Sequence, residues 1–191
     1  MNDSIEEARR RHEAGDDLGA VAVLTQALAR DGGLKEAYLW RARVFQSMGC
    51  LKEAEEDIDR LLPEGEHSEA PDEVWMCKAA LRLGRGDGEG AIAYYTRAKA
   101  QNPQLGNAYV GLSMAYSLAR RLDLALATMD EALGRLPEFG NGYKERGRIK
   151  LLLHDQAGAA DDLKKALEVS PEAARELEGR FTNLHVPGEA G

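Results

Sequence analysis

The sequence predicts an all-α fold, an α-solenoid of about five helical hairpins with a capping helix at its C-terminal end. Three observations predict it. Alanine, leucine, glutamate and arginine dominate the 191 residues while valine, isoleucine and threonine are scarce, so helix propensity outweighs strand propensity along the whole chain. Small residues return at a fixed interval: Ala20, Ala54, Ala91, Ala125 and Ala159 are separated by 34, 37, 34 and 34 residues, and seven residues after each stand Ala27, Leu61, Ala98, Ala132 and Ala166. An aromatic opens each of the last four units, Tyr38, Trp75, Tyr109 and Tyr143, followed four residues later by Ala42, Ala79, Ser113 or Gly147. Helical periodicity alone does not generate a 34-residue register, so the repeat is architectural.

Each unit reads as two helices joined by a turn, with boundaries near 1–34, 35–68, 72–105, 106–139 and 140–173. In the first helix, a bulky aromatic beside a small residue at i+4 forms a knob next to a gap. The second helix brings its alanine to that gap and places Leu24, Ile58, Tyr95, Met129 or Leu163 one turn later. Pro103, Pro137 and Pro171, again 34 apart, stop the second helices of the last three units. The first unit has Ser4 where the others have their opening aromatic, and Arg11 where units two and four have Phe45 and Tyr116, as suits a terminal unit facing water on one side. Three extra residues between units two and three fall in the acidic loop PEGEHSEAPDE. Residues 172–184 carry Ala173, Leu177, Phe181 and Leu184 at helical spacing and are expected to cap the last hairpin, making 1–184 a single array with a flexible tail over 185–191.

At this level the chain resembles the tetratricopeptide-repeat family, whose 34-residue unit carries a W-x2-L-G-x2-Y…A-x3-F…P pattern. The fourth unit, YVGLSMAYSLARRLDLALATMDEALGRLP, matches it most fully, with Tyr109, Leu112, Ser113, Tyr116, Ala125, Met129, Ala132 and Pro137 in register. The resemblance covers roughly residues 1–173 and implies a non-catalytic adaptor or scaffold that holds a peptide or helix of another protein in a concave groove. A self-associating assembly protein is the alternative, ahead of a small-ligand-binding protein or an enzyme.

The residues that depart from the pattern are charged. Arg41 and Arg146 take a first-helix slot where the family often has leucine, and sixteen residues later stand Asp57 and Asp162; the fourth unit has Leu112 and Thr128 there instead. Two charged pairs and one uncharged pair in the same slots predict contact across the hairpin, and arginine suits a half-buried site because its planar fork bonds a carboxylate through two donors.

Other chemistry is weakly represented. The run LRLGRGDGEGAIAYY holds Gly84, Gly86, Gly88 and Gly90, but it lacks the Lys-Ser/Thr of a phosphate loop and a preceding strand. Gly86-Asp87 aligns with Gly15-Asp16 of the first unit, which makes it the turn between two helices, with Gly86 supplying a positive φ. Lys78 and Arg82 occupy slots where Leu and Tyr are usual, and a one-residue slip would bring Cys77 and Leu81 inward. Together with the glycines this predicts the most pliable hairpin of the array. His12, His67, His154 and His185 lie in different units or loops, so no metal site, no cofactor and no catalytic residue is expected. A net charge of −8 and a pI of about 5.1 argue against nucleic acid as a partner. Two cysteines without a CxxC spacing suit a reducing compartment, and no apolar run approaches a membrane span, so a cytoplasmic protein without membrane contact is expected.

The resemblance places the groove on the first-helix residues that start one position after the opening aromatic. The lining expected is Leu39, Arg43, Gln46 and Ser47 in unit two, Met76, Ala80, Leu83 and Gly84 in unit three, Val110, Met114, Ser117 and Leu118 in unit four, and Lys144, Arg148, Leu151 and Leu152 in unit five, where Leu83, Leu151 and Leu152 could equally pack on neighbouring first helices. This is an apolar, methionine-containing centre with cations at either side, suited to an apolar peptide or amphipathic helix with an acidic flank. The carboxylate clamp by which some members of the family hold chaperone C-termini is not reproduced, because Met114 and Ala80 stand where asparagines belong. A homo-oligomer is also compatible with the groove.

Overall fold

The computed structural model describes residues 2–62 and 70–170. The expected capping helix 172–184, the tail 185–191, Pro171 and most of the acidic loop lie outside the described residues. Ten α-helices and no strand occur among the described residues: α1 (Asn2–Glu13), α2 (Asp17–Arg30), α3 (Lys35–Ser47), α4 (Leu51–Asp59), α5 (Asp72–Gly84), α6 (Gly88–Gln101), α7 (Gly106–Leu118), α8 (Leu122–Arg135), α9 (Gly140–Leu152) and α10 (Gln156–Val169). The chain packs as two compact units, one reaching to Asn102 and holding α1–α6, the other beginning at Pro103 and holding α7–α10. Within each, every helix packs on its sequence neighbours, and first helices also touch one another: α1 on α3 and α3 on α5 in the first unit, α7 on α9 in the second.

The alanine register is where the helices meet. Ala20, Ala54, Ala91, Ala125 and Ala159 are all buried, as are the small first-helix residues Ala42, Ala79, Ser113 and Gly147. A Cβ on Gly147 would stand 3.3 Å from the Ala159 carbonyl oxygen, so this crossing is close enough that even a methyl is crowded. In the first unit Ile5, Ala8, Ala20, Leu24, Leu28, Ala37 and Val44 form one cluster; in the second, Tyr109, Ala125, Met129, Ala132 and Ile149 form another.

The turns inside the hairpins share a backbone device. Gly15, Gly49, Gly86, Arg120 and His154 all have a positive φ, between 61° and 80°, at intervals of 34, 37, 34 and 34 residues. Each ends a first helix by reversing the backbone. In three of the five turns the next residue is an aspartate that caps the second helix: Asp16, Asp87 and Asp155 accept from the N–H of Gly19, Gly90 and Gly158. Gly86 therefore does what the sequence suggested, and Gly90 leaves room for the Asp87 carboxylate, which a Cβ there would meet at 2.3 Å.

The third hairpin needs no slip of register. Trp75 and Ala79 are buried in the ordinary slots, and Trp75 stacks on Tyr94 at 5.8 Å between ring centroids. Leu81 is buried because its slot is buried in the second, fourth and fifth hairpins too, as Val44, Ala115 and Ile149 show. Lys78 is buried as well, and α4 supplies its partners, Glu55 at 3.2 Å and Asp59.

Candidate functional site

Arg41 and Arg146 make the same contacts in different units. Arg41 donates from Nε and Nη2 to the two carboxylate oxygens of Asp57, each at 2.7 Å, and from Nη1 to Thr25 Oγ1 at 3.0 Å. Arg146 donates to Asp162 at 2.9 and 2.6 Å and to Asp130 at 2.8 Å. Each guanidinium thus reaches sixteen residues forward to the second helix of its own hairpin and sixteen back to that of the hairpin before. The backward contact was missed in the sequence, although Thr25 and Asp130 stand at equal spacing. Asp162 also takes Lys150 Nζ at 2.9 Å. Burial pushes the Asp162 carboxyl upward, but Arg146 and Lys150 outweigh it and hold the group below its ordinary range. The hydrogen bonds that Arg41 donates to Asp57 raise the guanidinium further above its already high value. These are structural staples.

The expected groove residues are best taken unit by unit. In the first unit Leu39 is only 7% exposed, so it offers almost no surface, and it drops out of the candidate lining. Met76, Ala80 and Leu83 are half-buried. Arg43 stands over the Trp40 ring at 5.2 Å and 3.7 Å from Glu73. Cys77 beside it is buried, and burial pushes its thiol up despite the nearby Arg43 charge.

In the second unit Val110 is half-buried against the core cluster, whereas Met114 and Leu118 on α7 are 43% and 44% exposed. Two residues of α9, Leu151 and Leu152, are 42% and 48% exposed; Leu152 stands one repeat after Leu118. Between the two helices runs a polar seam. Glu145 is buried and accepts from Ser113 at 3.1 Å and from Arg148 at 2.8 Å through both carboxylate oxygens, while Arg148 also donates to Ser117 at 3.1 Å. Lys144 is half-buried on the same helix. The cations expected to face a partner, Arg43 and Arg148, are therefore each already beside a carboxylate of this chain. The i,i+3 spacing of Glu145 and Arg148 was the available sign, but the repeat register hid it, because Glu145 falls at a slot occupied by Trp40, Cys77 and Gly111 in the other units.

No helix among the described residues is long and apolar enough to cross a membrane, and none of their His, Cys, Asp or Glu side chains gather in a group of three that could hold a metal ion. An open depression of about 410 Å³ lies against Gln104, Gly106, Leu136, Pro137 and Phe139, among the turns that join the hairpins.

No family model matches the sequence. Solved structures do match. TTC0263, a thermophilic TPR protein of Thermus thermophilus, is 20% identical with a TM-score of 0.78, the match covering 95% of this chain and 96% of that one. A tetratricopeptide repeat protein from Parabacteroides merdae is 23% identical with a TM-score of 0.75, over 94% of this chain and 70% of its own. YrrB, described as a TPR protein with an unusual peptide-binding site, is 19% identical with a TM-score of 0.62, over 93% and 90% of the two chains. With ten helices among the described residues paired into hairpins on a 34-residue register and these likenesses in structure, the chain has the tetratricopeptide-repeat fold.

Proposed function

We propose that this protein is a non-catalytic interaction adaptor that holds an apolar helix or peptide of another protein on its first-helix faces. The observation that carries the reading is the set of exposed large apolar side chains in the second unit. Met114 and Leu118 on α7 and Leu151 and Leu152 on α9 are each more than two-fifths exposed, on neighbouring helices that touch. Large apolar side chains left exposed on adjoining helices cost free energy in water unless something covers them, and methionine adapts to differently shaped partners. Half-buried Met76, Ala80 and Leu83 would extend the same use to the first unit, with Val110 and Lys144 at the margins of the second. YrrB lends support by likeness, since its peptide-binding site is carried on the same fold. An acidic flank on the partner would have to compete with Glu73 for Arg43 and with Glu145 for Arg148, so the apolar contact is the main source of affinity.

Met114→Glu with Leu118→Glu tests this. Both side chains are exposed, so helicity by circular dichroism should stay unchanged while a partner captured from native extract by the wild type is lost. Retention of that partner by the double variant would remove these two side chains from the binding site. A self-associating protein is the other reading of the same exposed set. Light scattering over a range of concentrations separates the two, because an adaptor keeps one molecular mass and self-association does not.

A further inference from the structure

The polar seam between α7 and α9 has its charges already balanced. Glu145 is 7% exposed and Ser113 is fully buried beneath it, with 3.1 Å between hydroxyl and carboxylate. Arg148 donates to that carboxylate from Nε and Nη2, each at 2.8 Å, and from Nη2 to Ser117 Oγ at 3.1 Å. The donors on Nε and Nη2 are thus taken by this chain, whereas Nη1 has no acceptor among the described contacts. Ser117 stands three residues after Met114 and one before Leu118, and Arg148 three before Leu151 and four before Leu152. On each helix the seam therefore adjoins exposed apolar side chains.

We propose that the segment of another protein held by this unit is an apolar one that meets Arg148 with an uncharged carbonyl oxygen, and that Glu145 turns away segments carrying a carboxylate at that point. The inference rests on the adaptor reading and names the chemistry of what is held. A carboxylate approaching Nη1 would share one guanidinium with Glu145, so two negative charges would face a single positive one as water is excluded. Moving Glu145 aside would strand a buried carboxylate without its bonds to Arg148. A carbonyl oxygen accepts from Nη1 and adds no charge.

The same slots are filled differently in the first unit. Arg43 and Arg148 stand at the same repeat position, and the residue three before each is Trp40 or Glu145. Arg43 lies over the Trp40 ring at 5.2 Å, which holds the guanidinium without cancelling its charge. Glu73 is 3.7 Å from Arg43 on a side chain 59% exposed, and it can turn into water. Arg43 therefore stays open to an acidic group, whereas Arg148 is closed to one.

Phage-displayed random peptides panned on the full chain test this. The peptides that count are those no longer bound by Met114→Gln with Leu118→Gln, a variant that adds no charge of its own. On the wild type they should be apolar and depleted in Asp and Glu, whereas Glu145→Gln, checked for helicity, should select peptides that gain an acidic position. Adding Arg148→Gln to that variant should abolish the gain, which a merely structural role of Glu145 would not produce. A synthetic peptide of the wild-type set should change in affinity by less than about twofold between low and high salt, because no new charge pair forms. If no peptide is lost with the Met114 and Leu118 variant, the adaptor reading at these side chains fails and this inference with it. Lost peptides that are rich in Asp or Glu, or whose affinity falls several-fold in salt, would leave the adaptor reading standing and overturn the inference. A Glu145→Gln selection no more acidic than that of the wild type would overturn it equally. A molecular mass above the monomer by light scattering, restored to the monomer by Met114→Gln with Leu118→Gln, would assign these side chains to a second copy and also overturn it.

Discussion

Asp57 and Asp162 are both buried carboxylates held by an arginine, yet they differ in what remains when that arginine is removed. Asp162 keeps Lys150 at 2.9 Å, whereas the described contacts of Asp57 are all with Arg41. A buried charge stripped of its partner costs about 3 kcal/mol or more, so Arg41→Ala should lower the unfolding midpoint in urea clearly further than Arg146→Ala. The fourth hairpin shows how the slots work without charge, since Leu112 and Thr128 are both buried there and Thr128 satisfies its hydroxyl on the Leu124 carbonyl at 2.7 Å. Arg41→Leu with Asp57→Thr should therefore recover most of what Arg41→Ala loses, ending within about 1 kcal/mol of the wild type. If the double variant is no more stable than Arg41→Ala, the pair does something beyond filling these slots.

Helices and turns show which parts of the fold were legible in the sequence and which were not. The alanine register, the aromatic slots and the turn at Gly86 could be read because they repeat, and a repeat sets five copies of one requirement side by side. The positive φ at Arg120 and His154 could not be read, because the residue types hide a conformation that Gly15, Gly49 and Gly86 announce. A non-glycine residue held in that region costs roughly 1 kcal/mol or more. Arg120→Gly and His154→Gly should each raise the thermal midpoint, by up to about 1 kcal/mol of stability, while Gly86→Ala should lower it. The expectation of a pliable third hairpin also becomes more specific at this scale. Its glycines sit at the ends of α5 and α6, and Lys78, Arg82 and Arg85 tie α5 to Glu55 of α4. Fast hydrogen exchange is thus expected over 84–90 and not through the bodies of the two helices. Uniform exchange across 72–101 at a rate above that of 112–133 would restore the broader hinge.

The groove was the least legible feature, because a single sequence shows which residues can face a partner but not which of them this chain has already paired. Glu73 beside Arg43 depends on a contact between α3 and α5, which no local pattern carries, and Glu145 with Arg148 is an i,i+3 pair of α9 whose burial against Ser113 of α7 a single helix does not reveal. Such pairs make acid the condition that tests the molecule as a whole. Burial pushes the Glu55 carboxyl upward, but Lys78, Arg85 and Arg82 outweigh it, and Arg146 with Lys150 do the same for Asp162, so both folded-state values lie below the ordinary ones. When the folded pKa is depressed, the unfolded chain binds protons first as pH falls. The stability contributed by these groups is complete above the ordinary carboxylate range near pH 4 and is lost progressively as pH drops through the depressed values. Chemical denaturation at a series of pH values should give a midpoint that is level with respect to these two groups from pH 7 to about pH 5 and falls steeply below about pH 4. Glu55→Gln with Asp162→Asn should lower the plateau and make the acid limb shallower, because two of the groups that take up protons on unfolding are gone. An acid limb as steep as that of the wild type would show that other carboxylates carry it.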